Sequence, residues 1–115
     1  MTRILLVEDD ADLRETLRED LERAGYEVLT ADGGHPGLAI LERTAVDAAV
    51  TDIVMANGEG IEFIRKLKAA RPDLPVIAMS AKAQYLRHAA QLGADRTLQK
   101  PFRFNDLLAV LPAAA

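Results

Sequence analysis

The sequence predicts an α/β protein built on a doubly wound, five-stranded parallel sheet flanked by five helices, and three features lead there. Apolar runs alternate with amphipathic stretches five times along the chain, the pattern of parallel strands joined by crossover helices. Three runs, Ile4-Leu5-Leu6-Val7, Ala48-Ala49-Val50-Thr51 and Val76-Ile77-Ala78-Met79, are continuous and apolar, as in strands covered on both faces. The other two, Tyr26 to Ala31 and Thr97-Leu98-Gln99, mix polar and apolar residues and suit sheet edges. The economical strand order is then 2-1-3-4-5.

The helices follow in turn. After the first strand, Leu13, Leu17, Leu21 and Ala24 recur near helical spacing, with Arg14, Glu15, Arg18, Glu19 and Glu22 opposite, and Gly25 ends the helix. Its start is open: Asp12 with Glu15 could form a capping box, or Asp10 could serve as the cap. The second helix is expected to begin near Pro36, after an entry loop of Gly33 and Gly34, turning Leu38 and Leu41 inward. A third carries Ile61, Ile64 and Leu67 and stops before Pro72. A fourth, with a thinner apolar face, offers Leu86, Ala89, Ala90 and Leu92 before Gly93. The last, from Asn105 to Leu111, presents Leu107, Leu108 and Leu111 and is followed by Pro112 and three alanines.

A length of 115 residues leaves room for one domain, taken as 1–115. Half of the residues are hydrophobic and 28% are charged, a balance that excludes a disordered or membrane chain. Without cysteine, neither a disulfide framework nor a thiolate zinc site can form. The net charge of -4 and the lack of any basic run argue against a nucleic-acid surface. Arg3 precedes only four strongly apolar residues, too few for a signal-peptide core or a membrane span. The expected location is cytoplasmic.

In open parallel sheets, ligands bind at the carboxyl ends of the strands, where the strand order reverses. Here that point lies between the first strand, which ends in Glu8-Asp9-Asp10, and the third, which ends in Asp52. Several carboxylates at close range repel one another and require a cation. Two are available: the Lys100 side chain after the fifth strand, and a bound metal. Carboxylates with a backbone carbonyl and waters suit Mg²⁺, which is readily completed by phosphate oxygens. Ser80, ending the fourth strand, adds a hydroxyl for a phosphoryl oxygen, and Ala81 beside it leaves space. Each of these residues alone is a helix cap, a turn or a loop; their joint placement on one edge makes the site.

The segments ILLVEDD, DIVMANGEG, AMSA and LQKPF, in this order at the ends of strands one, three, four and five, resemble the receiver domain of bacterial two-component response regulators over essentially the whole chain. The resemblance implies the flavodoxin-like fold, for which a chemotaxis member of this family is a standard example of the 2-1-3-4-5 order. It implies that Asp52 is the phosphoacceptor, a carboxylate nucleophile forming an aspartyl phosphate. Glu8, Asp9, Asp52 and the backbone carbonyl of Val54 would hold Mg²⁺, with Mn²⁺ an alternative, Glu8 acting largely through water. Lys100 would pair with the phosphoryl group, and Ser80 would move toward it, ordering the surface of helix four, strand five and helix five. The Lys100–Pro101 bond would be cis. The donor would be a histidine kinase or a histidine phosphotransfer protein, and the chain would not be an enzyme beyond its own phosphorylation and dephosphorylation.

Two departures stand out. Thr97 occupies the strand-five position where the family usually has an aromatic residue, so an aromatic flip cannot report phosphorylation. Ala56 replaces a common proline after Met55, and with Asn57-Gly58 following, a more mobile loop is expected. Neither touches the chemistry.

His35, read as a loop residue, and His88 are expected to have no role, since neither is placed near a strand end. Gly58-Glu59-Gly60 reads as a turn, because Phe63 stands where a dinucleotide fingerprint needs glycine. Met55 and Met79 are expected to pack. A haloacid-dehalogenase-like phosphatase would need an Asp-x-Asp pair on the first strand, a spacing Glu8-Asp9-Asp10 does not supply. The remaining alternatives are a receiver excised from a transcription factor or hybrid kinase, and a pseudo-receiver that only binds partners. The initial methionine and terminal alanines favour a single-domain protein.

Overall fold

A computed structural model describes residues 1–54 and 60–115. The expectations for Met55, Ala56, Asn57 and Gly58 lie outside the described residues. The elements run β1 (Arg3–Val7), α1 (Ala11–Arg23), β2 (Glu27–Ala31), α2 (Gly34–Arg43), β3 (Ala48–Asp52), α3 (Gly60–Ala70), β4 (Val76–Ser80), α4 (Ala83–Gln91), β5 (Arg96–Gln99) and α5 (Phe104–Val110). All strand pairs are parallel and the order is β2-β1-β3-β4-β5, as the sequence predicts.

The three continuous apolar strands are the three central ones, and successive side chains on them enter opposite cores. Ile4, Leu6, Ala48, Val50, Ile77 and Met79 pack with Leu17 and Leu21 of α1 and Leu107 of α5. Leu5, Val7, Ala49, Val76 and Ala78 pack with residues of α2, α3 and α4. The register places Leu6 beside Val50 and Asp52 beside Met79. The strand ends that carry the acidic residues therefore come out along one edge.

Local chemistry settles the helix ends. Asp10 caps α1, its Oδ1 accepting from the amides of Asp12 at 3.0 Å and Leu13 at 3.2 Å, while Glu15 pairs with Arg18 instead. Gly25 and Gly93 follow the last turns of α1 and α4 with φ of 100° and 111°, the left-handed conformation that ends helices. The second helix starts at Gly34, two residues before the predicted Pro36, so Gly34 and His35 belong to its first turn. Its first glycines pack against α3: a Cβ at Gly34 would sit 3.1 Å from the Phe63 Cβ, and one at Gly37 would sit 3.2 Å from both the Phe63 ring and Val7. Two glycines let α2 lie close to α3, a tertiary fit with no local signature. On α4, Leu86 and Ala89 are buried but Ala90 faces solvent, contrary to expectation.

After α5 the chain returns to the amino-terminal ends of the strands. Tyr26 Oη donates to the Pro112 carbonyl at 2.6 Å, Thr2 Oγ1 donates to the Ala113 carbonyl at 3.0 Å, and the Ala115 amide donates to Thr2 Oγ1 at 3.0 Å. Among the described residues no helix is long and apolar enough to cross a membrane.

Phe63 is the largest fully buried side chain. Phe63→Ala should lower the unfolding free energy by about 3–5 kcal/mol, measured by denaturant titration. Asp10→Ala, which removes only the cap, should cost about 1 kcal/mol.

Candidate functional site: an acidic cluster at the carboxyl edge of the sheet

Because β1 and β3 are neighbours, the residue after β1 and the last residue of β3 lie side by side. Glu8, Asp9 and Asp52 each offer a carboxylate oxygen, and the three atoms lie within 4.8 Å of one another. Glu8 and Asp52 are buried, at 1% and 5% exposure, whereas Asp9 is exposed. The sequence thus predicts this juxtaposition correctly, with Asp10 diverted to capping α1.

Lys100 reaches the cluster from the end of β5. Its Nζ lies 2.8 Å from Glu8 Oε1 and 3.4 Å from Asp52 Oδ2. The Lys100 amide donates to the Ser80 carbonyl at 2.8 Å, which ties this turn to the end of β4, and the Lys100–Pro101 bond is cis. Ser80 is buried, its Oγ accepting from the Lys82 amide at 3.1 Å. The Val54 amide donates to Asp52 Oδ1 at 3.3 Å, and the Asp10 amide donates to Glu8 Oε2 at 3.2 Å.

Glu8 and Asp52 share the Lys100 ammonium, and the crowding appears in the proton affinity of Glu8. Burial pushes the Glu8 pKa up to about 7; the Lys100 hydrogen bond opposes this, and the charge of Asp52 adds to it. Burial works against the Lys100 ammonium, but Glu8 and Asp52 together outweigh it and hold its pKa above the ordinary lysine value. A hard divalent cation fits this all-oxygen donor set.

His35 and His88 are not part of the cluster. His35 is nevertheless in the first turn of α2, directly after β2, and not in a loop; it lines a small cleft with Glu62 and Lys66. Thr97 is exposed on β5. Arg14 is a further residue whose surroundings differ from the expectation. Assigned to the solvent face of α1, it is half-buried, and its Nη1 donates to the Glu8 carbonyl at 2.8 Å. The available signal is a cation in the first turn of a helix, the wrong sign for the macrodipole.

Residues 4–112 match the response regulator receiver domain. The chain belongs to this family. It is 39% identical over 113 residues to the response regulator MprA of Mycobacterium leprae, an alignment covering 96% of this chain and 50% of the relative. The chain thus spans about half the length of the curated relatives it matches. Among solved structures it is similar to a CheY-like receiver domain protein from Methanospirillum hungatei, with a TM-score of 0.89, 32% identity and coverage of 95% and 89% of the two chains. It is also similar to the response regulator TrrA of Thermotoga maritima, whose crystal structure is a complex with Mg²⁺-BeF, with a TM-score of 0.87, 31% identity and 95% coverage of each chain. Receiver domains are phosphoryl-accepting signalling modules of two-component systems rather than metabolic enzymes and bind Mg²⁺ through an acidic pocket; in this receiver Glu8, Asp9 and Asp52 form an acidic group.

The electrostatics predict a stability effect independent of phosphorylation. In the presence of chelator, Asp52→Asn should raise the melting temperature by a few degrees, since it removes a buried like charge from beside Glu8. Mg²⁺ at about a hundredfold excess over its dissociation constant should stabilise the unsubstituted receiver by about 2.7 kcal/mol. The same concentration should stabilise Asp52→Asn much less, as scanning calorimetry would measure.

Proposed function

We propose that this receiver accepts a phosphoryl group on Asp52 from the phosphohistidine of a histidine kinase or a histidine phosphotransfer protein, and that residues 1–115 form the whole receiver unit. The observation that carries the reading is the convergence of Glu8, Asp9 and Asp52, with the Lys100 ammonium against Glu8 and Asp52. One carboxylate oxygen of Asp52 attacks the phosphorus. The new O–P bond forms as the P–N bond to the donor imidazole breaks, and the leaving nitrogen keeps the electron pair and takes up a proton.

Glu8, Asp9, Asp52 and the backbone carbonyl of Val54 would hold Mg²⁺, or Mn²⁺ in its place. The bound ion supplies neutralisation of charge on the transferred group. Lys100, already 3.4 Å from Asp52 Oδ2, pairs with a phosphoryl oxygen as a point charge. Ser80 lies at the end of the neighbouring strand, where its hydroxyl can turn to another phosphoryl oxygen. That shift changes the exposed face of α4, β5 and α5 and so partner binding, by a route other than an aromatic flip because Thr97 has no ring. The reading places the reaction in the cytoplasm.

A second reading, a receiver unit within a longer regulator, is favoured by the curated relatives being about twice as long as this chain. It leaves the chemistry at Asp52 unchanged.

The test is incubation with Mg²⁺ and a small-molecule phosphodonor, followed by intact mass measurement. One phosphoryl group should be added, and none in Asp52→Asn. Lys100→Met should slow the addition by about 10²-fold, the scale of losing one donor to a developing anion. Unchanged mass in the unsubstituted protein would instead assign it to the pseudo-receivers.

A further inference from the structure

Every backbone and carboxylate polar group of Glu8 has a partner. Its amide donates to the Ala31 carbonyl at 3.0 Å, Oε1 accepts from Lys100 and Oε2 from the Asp10 amide. The carbonyl that remains accepts from the Arg14 guanidinium at 2.8 Å. That carbonyl belongs to the peptide joining Glu8 to Asp9, so its orientation governs both flanking carboxylates at once. Arg14 is the fourth residue of α1, and its amide is already engaged with the Asp10 carbonyl. Side chains in a helix lean toward its amino terminus, which lets a long one in the first turn reach back past the cap to the loop. A cation there opposes the helix dipole, so helix stability alone does not account for it.

We propose that Arg14 is a positioning residue that fixes the Glu8–Asp9 peptide and thereby sets the affinity of the acidic cluster for its divalent cation, an inference that rests on the magnesium reading above. Arg14 touches no phosphoryl group and takes no part in the transfer. Supporting groups of this kind change metal affinity by about 10- to 100-fold when removed, because the ligands then sample unproductive orientations. The competing effect has the opposite sign: if Arg14 acted only as a nearby positive charge, its removal would tighten Mg²⁺ binding.

The experiment is a Mg²⁺ titration of the ¹⁵N-labelled receiver, following the amide resonances of Glu8, Asp9 and Asp10, for the unsubstituted protein, Arg14→Met and Arg14→Lys. Methionine keeps the apolar stem without the donor. Lysine keeps one donor of similar reach, sufficient here because a single N–H reaches the carbonyl. Arg14→Met should bind Mg²⁺ about tenfold more weakly, and Arg14→Lys should recover most of the loss. The Mg²⁺ concentration giving half-maximal phosphorylation by a small-molecule donor should rise in parallel, with the rate at saturating Mg²⁺ unchanged. Should Arg14→Met fail to fold, Arg14→Ala carries the same expectation and, lacking the charge as well, equally reports the tightening that repulsion would produce. Unchanged or tighter binding in the Met variant, or a Lys variant no better than Met, overturns the inference. If the unsubstituted receiver shows no saturable shift at all, it is the magnesium reading that falls, and this inference with it.

Discussion

The Lys100 ammonium sits between two carboxylates that burial would otherwise set against each other. Glu8 and Asp52 come from strands far apart in the sequence and are adjacent only because β1 and β3 pair. Neither can turn away to water, since each is almost wholly enclosed. A buried charge without a counter-charge costs several kcal/mol, and one cation shared by two anions relieves this only in part. The residual shortage of positive charge makes the site receptive to a further cation. The acidic edge is thus held in a state that Lys100 neutralises only in part.

The rest of the architecture serves to hold that arrangement. Two apolar cores, one on each face, fix the central strands so that their ends cannot slide relative to one another. The hydrogen bond from the Lys100 amide to the Ser80 carbonyl sets the height of the lysine against the sheet, while the Asp10 and Val54 amides orient the two buried carboxylates. Among the described residues no buried side-chain nitrogen or oxygen lacks a partner. Polar groups at this edge are therefore preorganised, which is where electrostatic stabilisation is most effective.

Much of this was readable from the residues. Central strands announce themselves because both of their faces are covered, leaving no room for polar alternation, and the acidic strand ends follow once the order is known. Features that depend on side chains meeting across space were not readable. The close fit of Gly34 and Gly37 against Phe63 joins residues of α2 to a ring beyond the whole of β3, and nothing near Pro36 marks it. Ala90 fits an inward-facing pattern as well as an outward one, because a methyl group carries little preference for either. Arg14 was misplaced for a different reason: a helical wheel records angle around the axis but not the lean of a long side chain along it. The competition between Asp10 and Asp12 for the cap was undecidable locally and was settled by which carboxylate meets the free amides of the first turn.

The return of the chain after α5 has a practical side. Through Tyr26 and Thr2, the segment from Pro112 to Ala115 is tied down at the entry to β1 and β2, the opposite side of the sheet from the carboxylates. Fluorophores, affinity handles or surface linkers attached at either extremity project away from the acidic edge. The close approach of the two extremities also marks this receiver as a candidate scaffold for circular permutation, with new ends opened in a surface turn and the old ones joined by a short peptide.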